Sequence, residues 1–332
     1  MKKLLRSIIL FALTSSAFLI SSCDHKKTHD QAIDVTGPEA DKYVCPMHPD
    51  VTGKKGDTCP KCGMKLELVT ESKEVKEYFM VFKAIPEIEA NKPAILSLTP
   101  SIKGHENETV SLDVQHDKKI HLIVVSKDLS YFDHIHPEPQ ADGSYHIKVL
   151  AKDESYSKGK FQSETRFNQG GDYVLFADYL PSGADHQLDR GELHVAGTPF
   201  KDQHYTAEKL TSTTDGYEVS LVTESGNFFS EGTSHISAIV KKGGKEIPAD
   251  QLEDYLSAKA HIVVISEDTQ NYLHVHPNVA KGRLDLHTTF GKAGIFRGWL
   301  QFKTEGQVHT ADFVINVQEG MTPGAKENAH HH

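Results

Sequence analysis

Cysteine is scarce in this chain, which has four among 332 residues, and tryptophan occurs once. A disulfide framework requires an even number of cysteines. Cys23 has a different expected role, described below, so Cys45, Cys59 and Cys62 remain. A bridge between Cys59 and Cys62 is possible and would leave Cys45 unpaired. One metal ion bound by all three thiolates therefore explains the count better than a disulfide does.

Basic residues are also fewer than acidic ones. The chain has 36 Lys and Arg and 46 Asp and Glu, which gives a net charge of −10. That balance argues against a nucleic-acid partner and against attachment to anionic lipids through a basic patch. Histidine, in contrast, is abundant, with 21 copies. Since histidine is the commonest metal-ligating side chain, its placement along the chain becomes the informative feature.

Long apolar runs are missing from the sequence except near its start. Lys2, Lys3 and Arg6 precede an apolar stretch at residues 8–20. The stretch is shorter than a membrane span and is typical of a secretory signal. An uncleaved membrane anchor is the alternative interpretation.

The apolar stretch ends in Ile20-Ser21-Ser22-Cys23, which resembles the lipobox of bacterial lipoproteins. The resemblance implies that residues 1–22 are a signal peptide and that Cys23 is acylated. Acylation would anchor the protein to the inner or outer membrane on its extracytoplasmic side. Residues 23–42 are polar and have no apolar period, so they predict a flexible tether.

Two parts of the chain repeat each other. Residues 121–137 recur as residues 261–277, with seven of 17 positions identical, every histidine among them. Flanking segments also correspond, and the first copy carries an insertion that we expect to form an extra hairpin at residues 141–165. The chain therefore contains two tandem copies of one domain.

Each copy has the pattern of a β domain, because its apolar runs are short, β-branched or aromatic, and bounded by turn residues. No segment holds a long helical period. We predict a mainly β chain in which two tandem sandwiches, immunoglobulin-like or cupredoxin-like, follow a small metal-binding knuckle module. The expected limits are 43–70 for the module, 78–200 and 205–318 for the sandwiches, and 319–332 for a disordered tail.

The module contains two short motifs that suit one metal ion. Cys45 and His48 form C-x2-H, and Cys59 and Cys62 form C-x2-C ten residues later. Two tight turns of this kind can supply four donors to a tetrahedral ion. Three thiolates and one imidazole favour Zn(II) or Cu(I) over Ca or Mg. A zinc knuckle with a purely structural role is the alternative.

Residues 43–49 and 59–64 resemble the heavy-metal-binding domain found in copper-translocating P-type ATPases and in periplasmic adaptors of metal-efflux pumps. The resemblance covers only this short segment of the chain, and it implies a soft ion and an export or resistance context. It implies that the metal-binding positions are Cys45, Met47, His48, Cys59, Cys62 and Met64. The two methionine thioethers favour Cu(I).

The repeated histidines suggest a second kind of metal site. In each copy two histidines stand two residues apart, so on a strand both rings project from one face. If Ser126 pairs with Tyr131 across the turn, His121 lies opposite His136. Prolines follow each pair and should place it at an exposed strand end. The candidate ligands are His121, His134, His136, His261, His274 and His276.

A simpler explanation of these histidines is that they cap a sandwich core. Asp128 and Asp268 could hydrogen-bond the rings and hold the hairpin turns. His186 and His309 are possible fourth ligands. The tract His330–His332 could bind metal or be a truncated tag. We expect the histidines between residues 105 and 287 that lack a matched partner, among them His116, to be ordinary surface or packed residues.

The combined features predict an extracytoplasmic, lipid-anchored protein that binds heavy metal, with copper, as Cu(I), ahead of zinc, and acts in metal buffering, delivery or efflux. The expected partners are metal ions and a metal-efflux pump or P-type ATPase. An adhesion or assembly scaffold of tandem immunoglobulin-like domains with structural zinc is the alternative. An enzyme is not expected, because the sequence has no nucleophile elbow, no phosphate-binding loop and no pair of acidic residues at a spacing typical of acid–base catalysis.

Overall fold

The computed structural model describes residues 43–45, 48–60, 65–68, 76–155 and 163–324. The chain divides into two units, residues 1–74 and 75–332, which are treated separately below. The predicted signal peptide, Cys23 and the tether lie outside the described residues. Within the described ranges, no helix is long and apolar enough to cross a membrane.

The small unit contains a three-stranded antiparallel sheet in the order β2-β1-β3. Its strands are β1 (Tyr43–Cys45), β2 (His48–Gly53) and β3 (Glu67–Leu68). Tyr43, Cys59 and Leu66 form its buried core, with Val51 packed against them. So few apolar residues bury little surface, which is the situation in which small domains need a metal or a disulfide.

The first repeat consists of two packed sheets. One has the strand order β11-β10-β5-β4 with β9 beside β10, and the other has β13-β12-β7-β8 with β6 beside β12. The strands are β4 (Tyr78–Ile85), β5 (Ala94–Ile102), β6 (Leu112–Asp113), β7 (Ile120–Ser126), β8 (Phe132–Ile135), β9 (Glu138–Pro139), β10 (Tyr145–Val149), β11 (Glu164–Thr165), β12 (Gly171–Pro181) and β13 (Gln187–Val195).

The second repeat has the same layout. Its two sheets have the orders β14-β15-β17-β22-β21, with β18 beside β17, and β16-β24-β23-β19-β20. The strands are β14 (Thr211–Thr214), β15 (Tyr217–Thr223), β16 (Phe228–Glu231), β17 (Ser234–Lys242), β18 (Lys245–Ile247), β19 (Ala260–Ser266), β20 (Tyr272–Val275), β21 (Asn278–Ala280), β22 (Arg283–Thr288), β23 (Gly294–Thr304) and β24 (Gln307–Met321), with a 3-10 turn at Ala249–Gln251.

The prediction of a mainly β chain with tandem sandwiches is confirmed, and the described residues contain no α-helix. Three details differ from expectation. The insertion in the first repeat carries β11, which is parallel to β10, instead of forming a separate hairpin. The strand β24 continues to Met321, so the segment predicted as a disordered tail begins inside a strand. Third, the two repeats pack on each other through one sheet of each, as described next.

Strand β7 shows that the two repeats pack on each other, because all seven of its residues are buried. Leu122 and Val124 point into the core of the first sandwich. Ile123 and Val125 point the other way, into a separate cluster that also contains Val263 of the second repeat. A strand that is apolar on both faces must be covered on both faces. The sheet containing β7 therefore packs on the sheet containing β19, and we call these two sheets the inner sheets.

The packing between the inner sheets is reciprocal. Phe132 stacks on Trp299 with ring centroids 4.6 Å apart, and Tyr272 stacks on Phe176 at 4.7 Å. Phe132 and Tyr272 occupy equivalent positions of β8 and β20, and Phe176 and Trp299 occupy equivalent positions of β12 and β23. The two contacts are therefore equivalent, as are the contacts of an isologous interface around a twofold axis.

Candidate metal centre

The inner hairpins place the repeated histidines by strand register. In the first repeat Leu122 pairs with Ile135 and Ile123 pairs with His134. In the second, Ile262 pairs with Val275 and Val263 pairs with His274. The hairpin turn between Ser126 and Tyr131 is closed by a backbone hydrogen bond of 3.3 Å. This is the predicted register, and it puts three histidines of each repeat on one face.

The histidines form two compact groups. The ligand-capable atoms within each group all lie within 4.8 Å of one another. We call His121, His134 and His136 the first triad, and His261, His274 and His276 the second triad. The assignment of these residues as metal ligands remains a prediction, but the convergence on which it depends is present.

The expectation that the histidine pairs lie at an exposed strand end is wrong. The strands β8 and β20 do end just before Pro137 and Pro277. His134 and His136, however, are only 4% and 1% exposed. The second repeat covers them, because the histidine face of each inner sheet is turned toward the other repeat. The histidines therefore line the surface between the repeats and do not cap either sandwich core.

The hydrogen bonds of the first triad determine its tautomers. Nε2 of His121 is 2.9 Å from the carbonyl oxygen of Gln115. A carbonyl only accepts, so Nε2 carries the proton and Nδ1 of neutral His121 carries a lone pair. Nδ1 of His134 donates to Oε1 of Gln301 at 2.8 Å. The lone pair of His134 is therefore on Nε2.

These two lone pairs face each other. Nδ1 of His121 lies 3.2 Å from Nε2 of His134 and 3.2 Å from Nε2 of His136. A tetrahedral ion with bonds of about 2.0 Å to nitrogen holds its ligand atoms roughly 3.3 Å apart. Both distances from Nδ1 of His121 are close to that value, and a cation among these nitrogens would replace the repulsion between the lone pairs of His121 and His134 by coordination.

The second triad repeats the arrangement. Nε2 of His261 is 2.8 Å from the carbonyl oxygen of Tyr255, which leaves the lone pair on Nδ1, 3.4 Å from Nε2 of His274. Nδ1 of His274 donates to Oδ2 of Asp178 at 3.2 Å. Nε2 of His276 is buried without a hydrogen-bond partner. One nitrogen of His276 also lies within 4.8 Å of nitrogens of His261 and His274. Buried polar atoms normally have partners, so a buried nitrogen without one is consistent with a ligand position on this histidine.

Burial disfavours protonation of most triad histidines. It lowers the pKa of His121 to about 4, that of His276 to about 3 and that of His261 to about 2. It also lowers the pKa of His134 and His136 well below the usual value, with further lowering by neighbouring imidazoles. Protonation of these rings therefore does not relieve the facing lone pairs near neutral pH, whereas neutral imidazole is the form that binds metal.

Each triad is supported from the other repeat. His134 of the first repeat bonds Gln301 on β23, and His274 of the second bonds Asp178 on β12. Asp178 pairs with His121 in its own sheet, and Gln301 pairs with His261 in the same way. Groups that hydrogen-bond the second nitrogen of a metal-binding imidazole fix its tautomer and orientation. Sequence reasoning missed both residues, although each lies opposite a histidine-bearing strand.

The positions of three other histidines differ from expectation. The ring of His116 lies 3.8 Å from that of His276, so His116 belongs to the cluster and is not an ordinary surface residue. Nε2 of His186 bonds Asp178 at 2.5 Å, so it supports the second triad indirectly. His309 bonds Asp215 at 2.8 Å and packs on Tyr217, away from the triads.

The aspartates of the hairpin turns have one of the two roles expected of them. Asp128 accepts a hydrogen bond from the hydroxyl of Ser126 at 2.5 Å, and Asp268 accepts one from Ser266 at 2.6 Å. They stabilise the turns as predicted. Neither contacts a triad histidine, because Asp178 and Gln301 occupy that position. The prediction was thus correct for the turn and wrong for the rings.

The described residues of the small unit include three of the predicted metal-binding positions. The backbones of Cys45 on β1 and His48 on β2 are partners in the sheet, and Cys59 is 1% exposed. A bridge between Thr58 and Lys65 closes the backbone around the second motif. Met47, Cys62 and Met64 lie outside the described residues. The assignment of this module as a metal site through all six positions therefore stays a prediction.

Solved structures show similarity to the chain at low sequence identity. Escherichia coli alpha-2-macroglobulin activated by porcine elastase shares 13% identity over 73% of this chain, with a TM-score of 0.22, and the match spans only 20% of that protein. A two-domain fibronectin type-III segment of chicken tenascin shares 10% over 72% of this chain and 99% of its own, with a TM-score of 0.20. Fibronectin(III)-like modules of Clostridium thermocellum CbhA share 11% over 76% and 100%, at 0.18. Similarity at this level carries no information about function.

Family comparisons are more informative. No curated protein matches the sequence. Residues 42–69 match the heavy metal binding domain, which confirms the resemblance found in the module and supports metal binding. Residues 73–190 and 212–319 each match one family, and together these matches cover most of the chain. The chain therefore belongs to the family described as a domain of unknown function, DUF8832, of which it carries two copies in tandem.

Proposed function

We propose that this protein is an extracytoplasmic, lipid-anchored copper-binding protein that buffers or delivers metal in an efflux or resistance system. It has two kinds of site, a thiolate-rich module at residues 43–70 and an imidazole cluster between the repeats. The match of the module to the heavy metal binding domain supports the first site. The observation that carries the second is the convergence of three imidazole nitrogens in each triad, with the lone pair of His121 facing His134 and that of His261 facing His274.

The two sites suit different forms of one metal. Thiolates and thioethers favour Cu(I), whereas neutral imidazoles suit Cu(II) as well as Zn(II). A metal-binding role also accounts for burying six imidazoles between two domains, since burying polar groups without partners costs free energy. A scaffold with one structural zinc in the module would have no use for the second cluster. The lipid anchor on Cys23 and an efflux pump or P-type ATPase as partner complete the proposal.

Metal titration of the full chain tests the proposal directly. We expect Cu(I), added under anaerobic conditions, to bind at the module with an affinity that Cys45→Ser with Cys59→Ser abolishes. We expect Cu(II) or Zn(II) to bind at the triads and to be lost in a variant that combines His134→Ala with His274→Ala.

A matched control comes from histidines outside the triads. His235 on β17 and His287 on β22 are paired in the other sheet of the second repeat, with ring centroids 4.2 Å apart. The variant His235→Ala with His287→Ala removes the same number of imidazoles and should keep the full metal stoichiometry. If the triad variant instead keeps its stoichiometry and loses only thermal stability, the histidines have a packing role and this part of the proposal fails.

A further inference from the structure

We propose that the two triads form one two-ion centre with inequivalent sites, in which the second triad binds its ion more tightly and fills first. This inference rests on the proposed function, since it assumes that the triads bind metal. Three observations carry it: the closeness of the triads, the different side chains that support them, and the position of His116.

The triads are in direct contact across the repeat interface. The ring centroids of His134 and His274 are 5.3 Å apart, and those of His121 and His261 are 6.3 Å apart. With metal–nitrogen bonds of about 2 Å, ions in the two triads would lie within roughly 12 Å of each other. Two dications at that separation repel each other in a buried region, so the second ion binds more weakly than the first.

The supporting side chains make the triads chemically different. The second triad is supported by the carboxylate of Asp178, whereas the first is supported by the neutral amide of Gln301. The two residues occupy equivalent positions in the two inner sheets. A carboxylate raises the basicity of the imidazole that it accepts from and adds a negative charge near the ion. Both effects favour metal binding at the second triad.

The amide of Gln301 is held in its orientation by a second contact. Its Nε2 donates to Oγ1 of Thr310 at 3.3 Å, which leaves Oε1 to accept from His134. His134 and Gln301 also line a cavity of about 300 Å³. The first triad therefore has three imidazoles, a neutral support and an open space beside one of its ligands, which are features of an exchangeable site.

His116 packs against the second triad. Its ring lies 3.8 Å from the ring of His276, 6.1 Å from that of His261 and 6.4 Å from that of His121 in the first triad. The equivalent position of the second repeat is Leu256, which has no ligand atom. Both residues have positive φ, 45° and 51°, so the backbone is the same and only the side chain differs. The second triad therefore has an imidazole packed on His276 that has no counterpart with a ligand atom in the other repeat.

Cu(II) titration followed by electron paramagnetic resonance tests the inference. We use the full chain without its lipid and with all four cysteines, Cys23, Cys45, Cys59 and Cys62, changed to serine, so that the added metal is neither bound nor reduced by thiols. We expect two ions to bind in sequence. The first should give the spectrum of an isolated ion, and the second should produce dipolar broadening and loss of intensity.

Substitutions should act on one ion each. Asp178→Asn should weaken binding of the first-filling ion by about 10–100-fold, the range known for outer-shell partners of metal-binding histidines. His116→Leu, which introduces the residue found at the equivalent position of the other repeat, should weaken binding of the same ion by less. Gln301→Glu should strengthen the other ion. Asp285→Asn is the matched control, because Asp285 bonds the exposed His287 at 2.9 Å and should have no effect. Since Gln301→Glu is a gain of affinity, misfolding cannot imitate it.

The outcomes separate this inference from the proposed function. One ion in total, or two ions with equal affinity and no magnetic interaction, would overturn the two-ion inequivalent centre and leave metal binding by the triads standing. Absence of any bound Cu(II) at the triads would overturn both.

Discussion

At the scale of single residues, the main feature of this protein is a set of imidazoles whose protons are assigned by carbonyl, amide and carboxylate acceptors. The backbone oxygens of Gln115 and Tyr255, at equivalent positions of the two repeats, each hold one histidine in the same tautomer. Because the donating nitrogens of His121, His134, His261 and His274 point away from the triads, the lone pairs of these four rings point into them. The triads are thus preorganised for a cation.

The pH dependence of stability follows from the neutral state of these rings. In metal-free protein the pKa of His121 is lowered by burial from 6.5 to about 4, and that of His276 to about 3. Below pH 6.5 the unfolded chain takes up protons that the folded chain does not. The free energy of unfolding should therefore fall as pH decreases from about 6.5 to 4, by up to about 1.4 kcal/mol per pH unit for each such ring.

Urea unfolding of chelator-treated protein at a series of pH values measures this dependence. The variant His121→Asn lacks one of the shifted groups and should show a shallower slope in the same pH range. Equal stability at pH 7 and pH 4.5 would contradict the neutral, buried state of the triads.

A glycine in the module provides a second test at residue scale. A Cβ atom added at Gly53 would lie 2.6 Å from Oδ2 of Asp57 and 2.7 Å from Cδ1 of Leu66. Asp57 accepts from the backbone N–H of Lys54 at 2.7 Å, and Leu66 is part of the small core. Gly53→Ala should therefore disturb the module and weaken its Cu(I) affinity.

Competition with a colorimetric Cu(I) chelator measures that loss. Gly56→Ala is a matched control for steric crowding, because a Cβ there meets no atom within 4 Å. The positive φ of 95° at Gly56 adds some backbone strain, so the control should be slightly destabilised and should keep its Cu(I) affinity. Unchanged affinity in Gly53→Ala would mean that the packing at Gly53 does not support the metal-binding turn.

At the scale of elements, the hairpins β7–β8 and β19–β20 show how much of the site sequence reasoning can reach. Alternation along a strand and the four-residue turn were enough to predict the register and so the grouping of three histidines in each repeat. Asp178, Gln301 and His116 could not be found in that way. They reach the triads through the packing of one repeat on the other, and no periodicity along the chain encodes that contact.

The continuous apolar run of β7 could have indicated, from the sequence, that both faces of this strand are covered. A strand at the surface of an independent sandwich alternates between apolar and polar residues, whereas all seven residues of β7 and of β19 are buried. Such runs are typical of strands that are covered on both faces. Taken together with the repeat, they would have indicated that the two copies pack through these strands.

The inner sheets should depend strongly on their stacked aromatic pairs. Trp299 is 4% exposed, stacks on Phe132 and lies 5.2 Å from the guanidinium carbon of Arg297. Trp299→Ala should lower the free energy of unfolding by about 3–5 kcal/mol, as expected for loss of a large buried aromatic side chain. It should also weaken Cu(II) binding at the triads, because the same interface holds both.

Chemical denaturation and Cu(II) titration of the same samples measure the two effects together. Phe296→Leu provides the comparison, since Phe296 lies in the core of the second sandwich and outside the repeat interface. It should reduce stability with little change in Cu(II) affinity. If both variants weakened metal binding in proportion to lost stability, the interface would have no specific part in the site.

At the scale of the whole molecule, metal and folding should be linked. An ion that binds the folded chain and not the unfolded chain adds stability that grows with its free concentration, about 2.7 kcal/mol at one hundred times the dissociation constant. Addition of Cu(II) or Zn(II) should therefore raise the melting temperature of residues 75–332 within the full chain. Treatment with a chelator should reverse the increase.

Differential scanning calorimetry of the full chain measures this shift, and Trp299 offers an independent signal because it is the single tryptophan and lies in the repeat interface. The variant with His134→Ala and His274→Ala should show no shift with metal. A metal-induced increase that persists in this variant would assign the stabilisation to another site.

The presence of both repeats in one polypeptide has a consequence for the divergence of the two centres. A dimer of two identical single-domain chains would carry the same residue at both equivalent positions, so any change in one pocket would be copied into the other. Duplication within one gene removes that constraint. The aspartate and the glutamine at equivalent positions, and the histidine and the leucine, are differences that a dimer of identical chains cannot hold, and in the proposed two-ion centre they allow one pocket to retain its ion while the other releases it.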